Sequence, residues 1–179
     1  MTPEKLDALA KEAMTHAYVP YSGYKVGAAL LCADGTVYQG CYIENAAYGP
    51  TNCAERTAFF KAVYDGHRDF VSIAVCGGKD GIITGAFPPC GVCRQVMREF
   101  CGDDFVIYMV DETGYEARTL AEILPFSFSA GKHMAGQDGH SQKEHRKSAP
   151  FPRKGVDFSL KMCDNGCGMF LPIQKFMEE

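Results

Sequence analysis

Two short stretches constrain this chain more than anything else in it. Thr51-Asn52-Cys53-Ala54-Glu55-Arg56-Thr57-Ala58 is followed downstream by Pro88-Pro89-Cys90-Gly91-Val92-Cys93-Arg94-Gln95. Three cysteines set as C…C-x-x-C can bring three thiolates to one zinc ion and leave its fourth position to water. That is the arrangement of catalytic zinc, whereas structural zinc normally takes four protein ligands. A fold that uses this pattern must bring the two stretches together. Cys53 and Cys90 both stand at predicted helix N-termini, where free N–H groups and the helix dipole favour a negative thiolate. The C-x-x-C spacing lets Cys90 and Cys93 reach one ion around a helix's first turn, while Cys53 arrives from the other helix.

Glu55 lies two residues after Cys53, too close to serve as a fourth ligand but well placed to move protons at a zinc-held water. General acid–base catalysis of this kind is worth roughly 10²–10⁴-fold. Three thiolates around zinc make a centre of formal charge −1, which blunts the metal's power to acidify water. Arg56 is expected to donate to those sulfurs and offset the charge. A lone C-x-x-C is often redox-active or structural. The pairing of Cys-Ala-Glu with Pro-Cys-x-x-Cys points instead to catalysis.

Around these motifs the pattern is that of an α/β chain. Thr2 can cap a helix with Pro3 in its first turn, and Leu6, Leu9, Ala10, Ala13 and Met14 share one face, with Pro20 as the stop. Tyr24 to Ala33 and Thr36 to Glu44 read as a hairpin about Asp34-Gly35. A helix is expected from Thr51 to about Tyr64, a buried strand over Phe70–Cys76 and a helix from Cys90 to about Cys101. Phe105 to Val110 reads as a further strand, with room for a short one near Tyr115. Thr119-Leu120-Ala121-Glu122 has capping-box form and opens a short helix that Pro125 ends. The order predicts a mixed sheet between layers of helices.

Composition narrows the classes. The formal net charge of −4 argues against a dedicated nucleic-acid binder, which carries a basic stripe. No apolar run approaches the ~20 residues of a membrane span. Met1 to Lys5 has no apolar signal segment, so a cytoplasmic chain is expected. Nine cysteines in such a chain point to reduced thiols and metal rather than a disulfide frame. After Phe128 the character changes. Residues 129–155 carry six Lys/Arg against two acidic residues and almost no aliphatic side chain, whereas residues 1–128 carry ten against sixteen. That composition is expected to form a flexible basic linker. Residues 156–179 regain apolar side chains and read as a short ordered tail.

The other cysteines and two of the histidines suit structural or surface positions. Cys163 and Cys167 cannot close a zinc site alone and read as part of a turn. Cys32, Cys41, Cys76 and Cys101 are expected to be small core residues. His16 and His67 fit surface helix and loop positions without a catalytic role.

From about Pro20 to Phe128 the chain resembles the small, homotetrameric, zinc-dependent cytidine deaminases. The resemblance rests on Tyr24-Lys25-Val26-Gly27-Ala28-Ala29-Leu30, Gly40-Cys41-Tyr42-Ile43-Glu44-Asn45-Ala46, both cysteine boxes through Arg98-Glu99-Phe100, and Leu124-Pro125-Phe126-Ser127-Phe128. It implies a three-layer α-β-α sandwich with a mixed, mostly five-stranded sheet over residues 1–128, plus a C-terminal extension. It also implies hydrolytic deamination: zinc-held water adds at C4 of a cytosine ring, Glu55 shuttles protons, ammonia leaves and uracil forms. Cys53, Cys90 and Cys93 would hold one Zn²⁺ per subunit, with Arg56 behind them.

By the same resemblance, Tyr24 packs near the base, Glu44 hydrogen-bonds the ribose, and Asn45 and Ala46 lie in the loop lining the pocket. Tyr48 and Phe128 match aromatics offered to a neighbouring subunit's site, so a homotetramer would complete each pocket. The implied partner is a small nucleoside in pyrimidine salvage, with no nucleic acid and no membrane.

Tyr42 departs from the pattern, because the family's loop usually reads G-C-N-[IV]-E-N-A. A tyrosine offers one hydroxyl on a bulky ring where a compact amide both donates and accepts. Two readings follow: ordinary cytidine or deoxycytidine with an adapted sugar contact, or a modified cytosine nucleoside such as a nucleoside antibiotic. The extension after Phe128 is a second departure. A nucleic-acid-editing or nucleic-acid-binding protein using the basic linker as a tether and a zinc-storage or structural protein are the remaining alternatives. The acidic catalytic portion opposes the first of these, and Glu55 with the open coordination position opposes the second.

Overall fold

The structure is a computed structural model that describes residues 1–129, so the expected linker and tail lie outside the described residues, Ser129 apart. Its elements run in the order α1 (Pro3–Thr15), β1 (Tyr24–Cys32), β2 (Val37–Cys41), α2 (Ala54–Tyr64), β3 (Phe70–Lys79), α3 (Gly91–Phe100), β4 (Val106–Val110), β5 (Tyr115–Thr119) and α4 (Leu120–Ile123). The five strands form one sheet in the order β2-β1-β3-β4-β5. Only β3 and β4 pair in parallel, joined by the crossover through α3; the other neighbours are antiparallel.

The layers follow from side-chain alternation along β1, whose successive residues face opposite sides of the sheet. Ala29 and Leu31 pack with Leu6, Ala10 and Met14 of α1 and with Ala74 and Cys76 of β3. Ala28, Leu30 and Cys32 face the other way, toward Ala58, Phe59 and Ala62 of α2 and Met97 of α3. The result is the expected three-layer α/β/α sandwich, with α1 on one face and α2 and α3 on the other. Among the described residues no helix is long and apolar enough to cross a membrane.

Two glycines set the helix-to-sheet distance. A Cβ on Gly27 would meet the Ala10 carbonyl oxygen at 2.1 Å, and one on Gly40 would meet that of Ala54 at 2.2 Å. The first lets α1 lie directly on β1. The second lets the opening turn of α2 lie directly on β2, which fixes where Cys53 and Glu55 stand.

Some boundaries differ from the sequence-based expectation. The first helix stops at Thr15, well before Pro20, because the chain turns at His16 to bridge Tyr18 with Ile43. Ile43 also bridges Asn52, so the second strand ends at Cys41 and α2 opens only at Ala54. These two bridges tie the loop carrying Tyr42, Glu44 and Asn45 to the segment after α1 on one side and to the approach to α2 on the other.

Candidate active site

Cys53 and Cys90 are the N-cap residues of α2 and α3. An N-cap side chain normally accepts a hydrogen bond from the exposed backbone N–H groups of the first turn, and Ser, Thr, Asp or Asn is preferred there. Here a thiol occupies each cap position and neither makes a capping hydrogen bond. Both sulfurs are thus left for other chemistry. Cys93, one turn into α3, is buried and brings the third.

The sulfur geometry tests whether these residues suit zinc. The three Sγ atoms lie within 4.8 Å of one another, and Cys53 and Cys90 are 3.8 Å apart. Tetrahedral zinc with Zn–S bonds of about 2.3 Å holds its sulfurs about 3.8 Å apart. The set fits. The Cys53 thiol is pulled well below its ordinary range, first by a hydrogen bond from Cys93 and also by one from Arg56. Cys93 moves the opposite way, because it donates to that sulfur and is buried. One proton shared by Cys53 and Cys93 explains both directions; a zinc ion bound by all three sulfurs would release that proton and the Cys90 thiol proton to solvent.

Arg56 reaches back from the first turn of α2, its Nη2 donating to Cys53 Sγ at 3.6 Å and to the Thr51 carbonyl oxygen at 3.0 Å. Glu55 is 3% exposed. Burial raises its carboxyl, and the charge of Cys53 adds to the effect, so that it is pushed up to about 7. A carboxyl in that range can both take and return a proton near neutrality.

The loop between β2 and α2 closes one side. Glu44 is buried, with its Oε2 accepting from the Tyr21 and Ser22 N–H groups at 2.9 and 3.2 Å. A hydrogen bond from the Ser22 side chain, followed by those from the Tyr21 and Ser22 N–H groups, holds its carboxyl below the usual range. Tyr42 is half-buried, and its hydroxyl is raised by burial and by the charges of Glu44, Cys53 and Cys90. It therefore stays a neutral hydroxyl under the influence of both Glu44 and the sulfurs. Tyr24, half-exposed, lies under the Lys79 ammonium at 5.7 Å from the ring centroid.

The structure thus brings Cys53, Cys90, Cys93, Glu55, Arg56, Tyr42 and Glu44 into one region. It leaves Asn45, Ala46, Tyr48 and Phe128 on the exterior of this subunit. Asn45 spends its side-chain oxygen on the Ala47 N–H at 2.9 Å. Tyr48 is 79% exposed and Phe128 58%. Tyr48 also holds a positive φ of 55°.

Two supporting residues carried no assigned role in the sequence. Arg94 donates from Nε to the Pro89 carbonyl oxygen at 2.7 Å and from Nη1 to that of Ile123 at 2.8 Å, clasping the turn that presents Cys90. Gln95 Nε2 donates to the Phe128 carbonyl oxygen at 3.0 Å. Their only sequence signal is their position just after Cys93.

Comparison with known proteins gives a consistent result. Residues 1–109 match the family described as the cytidine and deoxycytidylate deaminase zinc-binding region. The cytidine deaminase of Sporosarcina psychrophila is 53% identical over 130 residues, covering 72% of this chain and 93% of that protein. The cytidine deaminase of Halalkalibacterium halodurans is 51% identical over 122 residues, 68% of this chain and 89% of that protein. The crystal structure of cytidine deaminase from Burkholderia pseudomallei superposes with a TM-score of 0.67 at 43% identity, covering 72% of this chain and all of that one.

Proposed function

The chain belongs to the cytidine and deoxycytidylate deaminase zinc-binding family, and from that premise we propose that it hydrolyses cytidine and deoxycytidine to uridine and deoxyuridine with release of ammonia. The observation that carries the reading is a buried carboxyl, Glu55, beside three sulfurs spaced for one zinc ion. Zinc held there supplies a water acidified at its open fourth position.

Glu55 takes a proton from the attacking water as its oxygen bonds to C4. It hands that proton to ring N3, then passes the second water proton to the amino group, which departs as ammonia. The product keeps a C4 carbonyl and a protonated N3, so the atoms balance. Arg56 draws charge from Cys53 and keeps the sulfur cluster from being excessively negative. Glu44, anchored through Oε2, offers its other oxygen to a sugar hydroxyl, with Tyr42 beside it.

The finer reading is a homotetrameric enzyme of pyrimidine salvage in the cytoplasm. Exposed Tyr48 and Phe128 support shared sites, because large aromatic side chains held outward suit a partner subunit. The seven described cysteines are all free, which suits a reducing compartment.

The test is ammonia release from cytidine and deoxycytidine by zinc-loaded protein and by Glu55→Ala. Glu55-dependent turnover of either nucleoside is expected. Turnover of neither, with zinc bound and the fold intact, would overturn the reading and point to a modified cytosine nucleoside.

A further inference from the structure

A second group of ligand-type side chains lies at the other end of α2. Cys32 ends β1, Asp34 occupies the β1–β2 turn, and His67 lies in the connection from α2 to β3. Their ligand atoms, one sulfur, one carboxylate oxygen and one imidazole nitrogen, all fall within 4.8 Å of one another. The eleven residues of α2 separate this group from the three-cysteine site by about 16 Å at 1.5 Å per residue. We propose that Cys32, Asp34 and His67 form a second metal site, for a divalent ion of the zinc class.

The geometry favours a metal over a simple ion pair. His67 Nδ1 and Asp34 Oδ2 are 3.5 Å apart. That is longer than an ordinary charge-assisted N–H···O bond, which runs about 2.7–2.9 Å. It matches the separation of about 3.4 Å between nitrogen and oxygen ligands of tetrahedral zinc at about 2.0–2.1 Å. A mixed thiolate, imidazole and carboxylate set suits zinc or cobalt, whereas magnesium and calcium take all-oxygen sites.

Each ligand is also held in place. Asp34 Oδ1 accepts from the Thr36 N–H at 2.9 Å, which leaves Oδ2 turned toward His67. The imidazole meets the edge of the Tyr38 ring, with centroids 5.3 Å apart and planes at 61°. Tyr38 is itself anchored, its hydroxyl donating to Asp65 Oδ2 at 2.9 Å. The Cys32 N–H donates to the Thr36 carbonyl oxygen at 2.9 Å, and its own carbonyl accepts from Gly35 at 3.0 Å. The register between β1 and β3 shifts between Leu31 and Cys32. Irregularities of this kind re-aim a side chain at the end of a strand.

Cys32 is buried, while the His67 and Asp34 side chains are 25% and 54% exposed. An ion can therefore enter from the solvent side, and water can complete its coordination. As the metal–sulfur bond forms, the Cys32 thiol proton passes to solvent. The bound ion would join the β1–β2 turn to the end of α2, so that each end of that helix is tied to a metal. Binding to the folded chain alone would also stabilise it, by an amount that rises with the logarithm of free zinc once the site fills.

The test uses the full chain equilibrated by dialysis against buffered free zinc over a range of concentrations. Zinc per chain is measured for wild type, His67→Gln, Asp34→Asn and Cys32→Ser. His133, His140, His145, Cys163 and Cys167 can also take zinc, so the readout is the difference from wild type at each concentration. The expected result is one fewer zinc per chain in His67→Gln and Cys32→Ser, with Asp34→Asn shifted to weaker binding and cytidine turnover retained in His67→Gln. A zinc-dependent rise in Tm in Cys90→Ser, which lacks a ligand of the first site, should vanish when His67→Gln is added. Equal zinc content in wild type and His67→Gln at every concentration, with both folded, would overturn the proposal and leave a His67–Asp34 pair beside a core thiol.

Discussion

Arg56 folds back along the first turn of α2 so that its guanidinium Nη2 lies 3.6 Å from Cys53 Sγ, three residues earlier in the chain. The contact places a permanent positive charge against one of three sulfurs that would otherwise gather formal charge −1 around zinc. Removing it should make the centre more electron-rich and its water harder to deprotonate. Arg56→Ala should shift the acid limb of the kcat profile upward by about one pH unit, the equivalent of about 1.4 kcal/mol. Arg56→Lys should recover part of the shift, since it keeps the charge without the planar fork. Zinc content is measured alongside, and an unchanged profile in zinc-replete Arg56→Ala would remove the electrostatic role.

Glu55 makes a separate claim on pH. In the proposed role of base it must be deprotonated in the free enzyme, so kcat/KM should fall as pH drops through its pKa. Burial, with the negative charge of Cys53, raises that carboxyl from 4.5 to about 7. The acid limb should therefore lie well above 4.5. Glu55→Gln should lower kcat by at least about 10²–10⁴-fold with zinc still bound. A limb at or below 4.5, or turnover surviving in Glu55→Gln, would assign the proton transfer elsewhere.

How much of this was legible in the sequence depends on how local the cause is. The β1–β2 hairpin was readable from Asp34-Gly35 because Gly35 adopts a φ of 90°, which glycine allows at little cost. The α4 start was readable because Thr119 and Glu122 form a reciprocal capping box. The three sulfurs were readable because two helix starts, each opening with a cysteine, are local signals. Arg94's grip on the Pro89 and Ile123 carbonyls was not, since it depends on α3 meeting α4 across the fold. Nor was the meeting of Cys32 and Asp34 with His67, which read as an ordinary surface histidine. Loops distant in sequence are brought together there by α2 packing on the sheet, and no periodicity reports that.

Tyr42 carries the prediction about sugar recognition. Its hydroxyl lies near Glu44, Cys53 and Cys90, and burial with those negative charges keeps it protonated. It is therefore a donor toward whatever occupies the space beside Glu44. Tyr42→Phe removes only that donor, a loss of about 0.5–1.5 kcal/mol for a neutral hydrogen bond. KM for cytidine should rise up to about tenfold with kcat little changed. A fall in kcat at constant KM would place the hydroxyl at the reacting atoms instead.

Gly40 and Gly27 provide a matched pair that separates site geometry from stability. Both lie where a helix rests on the sheet, and a Cβ on either would meet helix backbone atoms at 2.2 and 2.1 Å respectively. Neither clash can be relieved by a side-chain rotation, because backbone must move. Each alanine substitution should thus destabilise the fold, by about 1–3 kcal/mol on the scale of overpacked cores. The consequences for the site should differ. Gly27 faces Ala10 and Met14 of α1, which carries no site residue, whereas Gly40 faces Ala54 and Ala58 of α2. A shift of α2 carries Cys53, Glu55 and Arg56 with it while Cys90 and Cys93 stay on α3. Gly40→Ala should therefore weaken zinc binding and lower kcat of the folded protein, and Gly27→Ala should lower Tm with both retained. Equal losses of zinc affinity in the two variants would mean that the distance between α2 and β2 does not set the site.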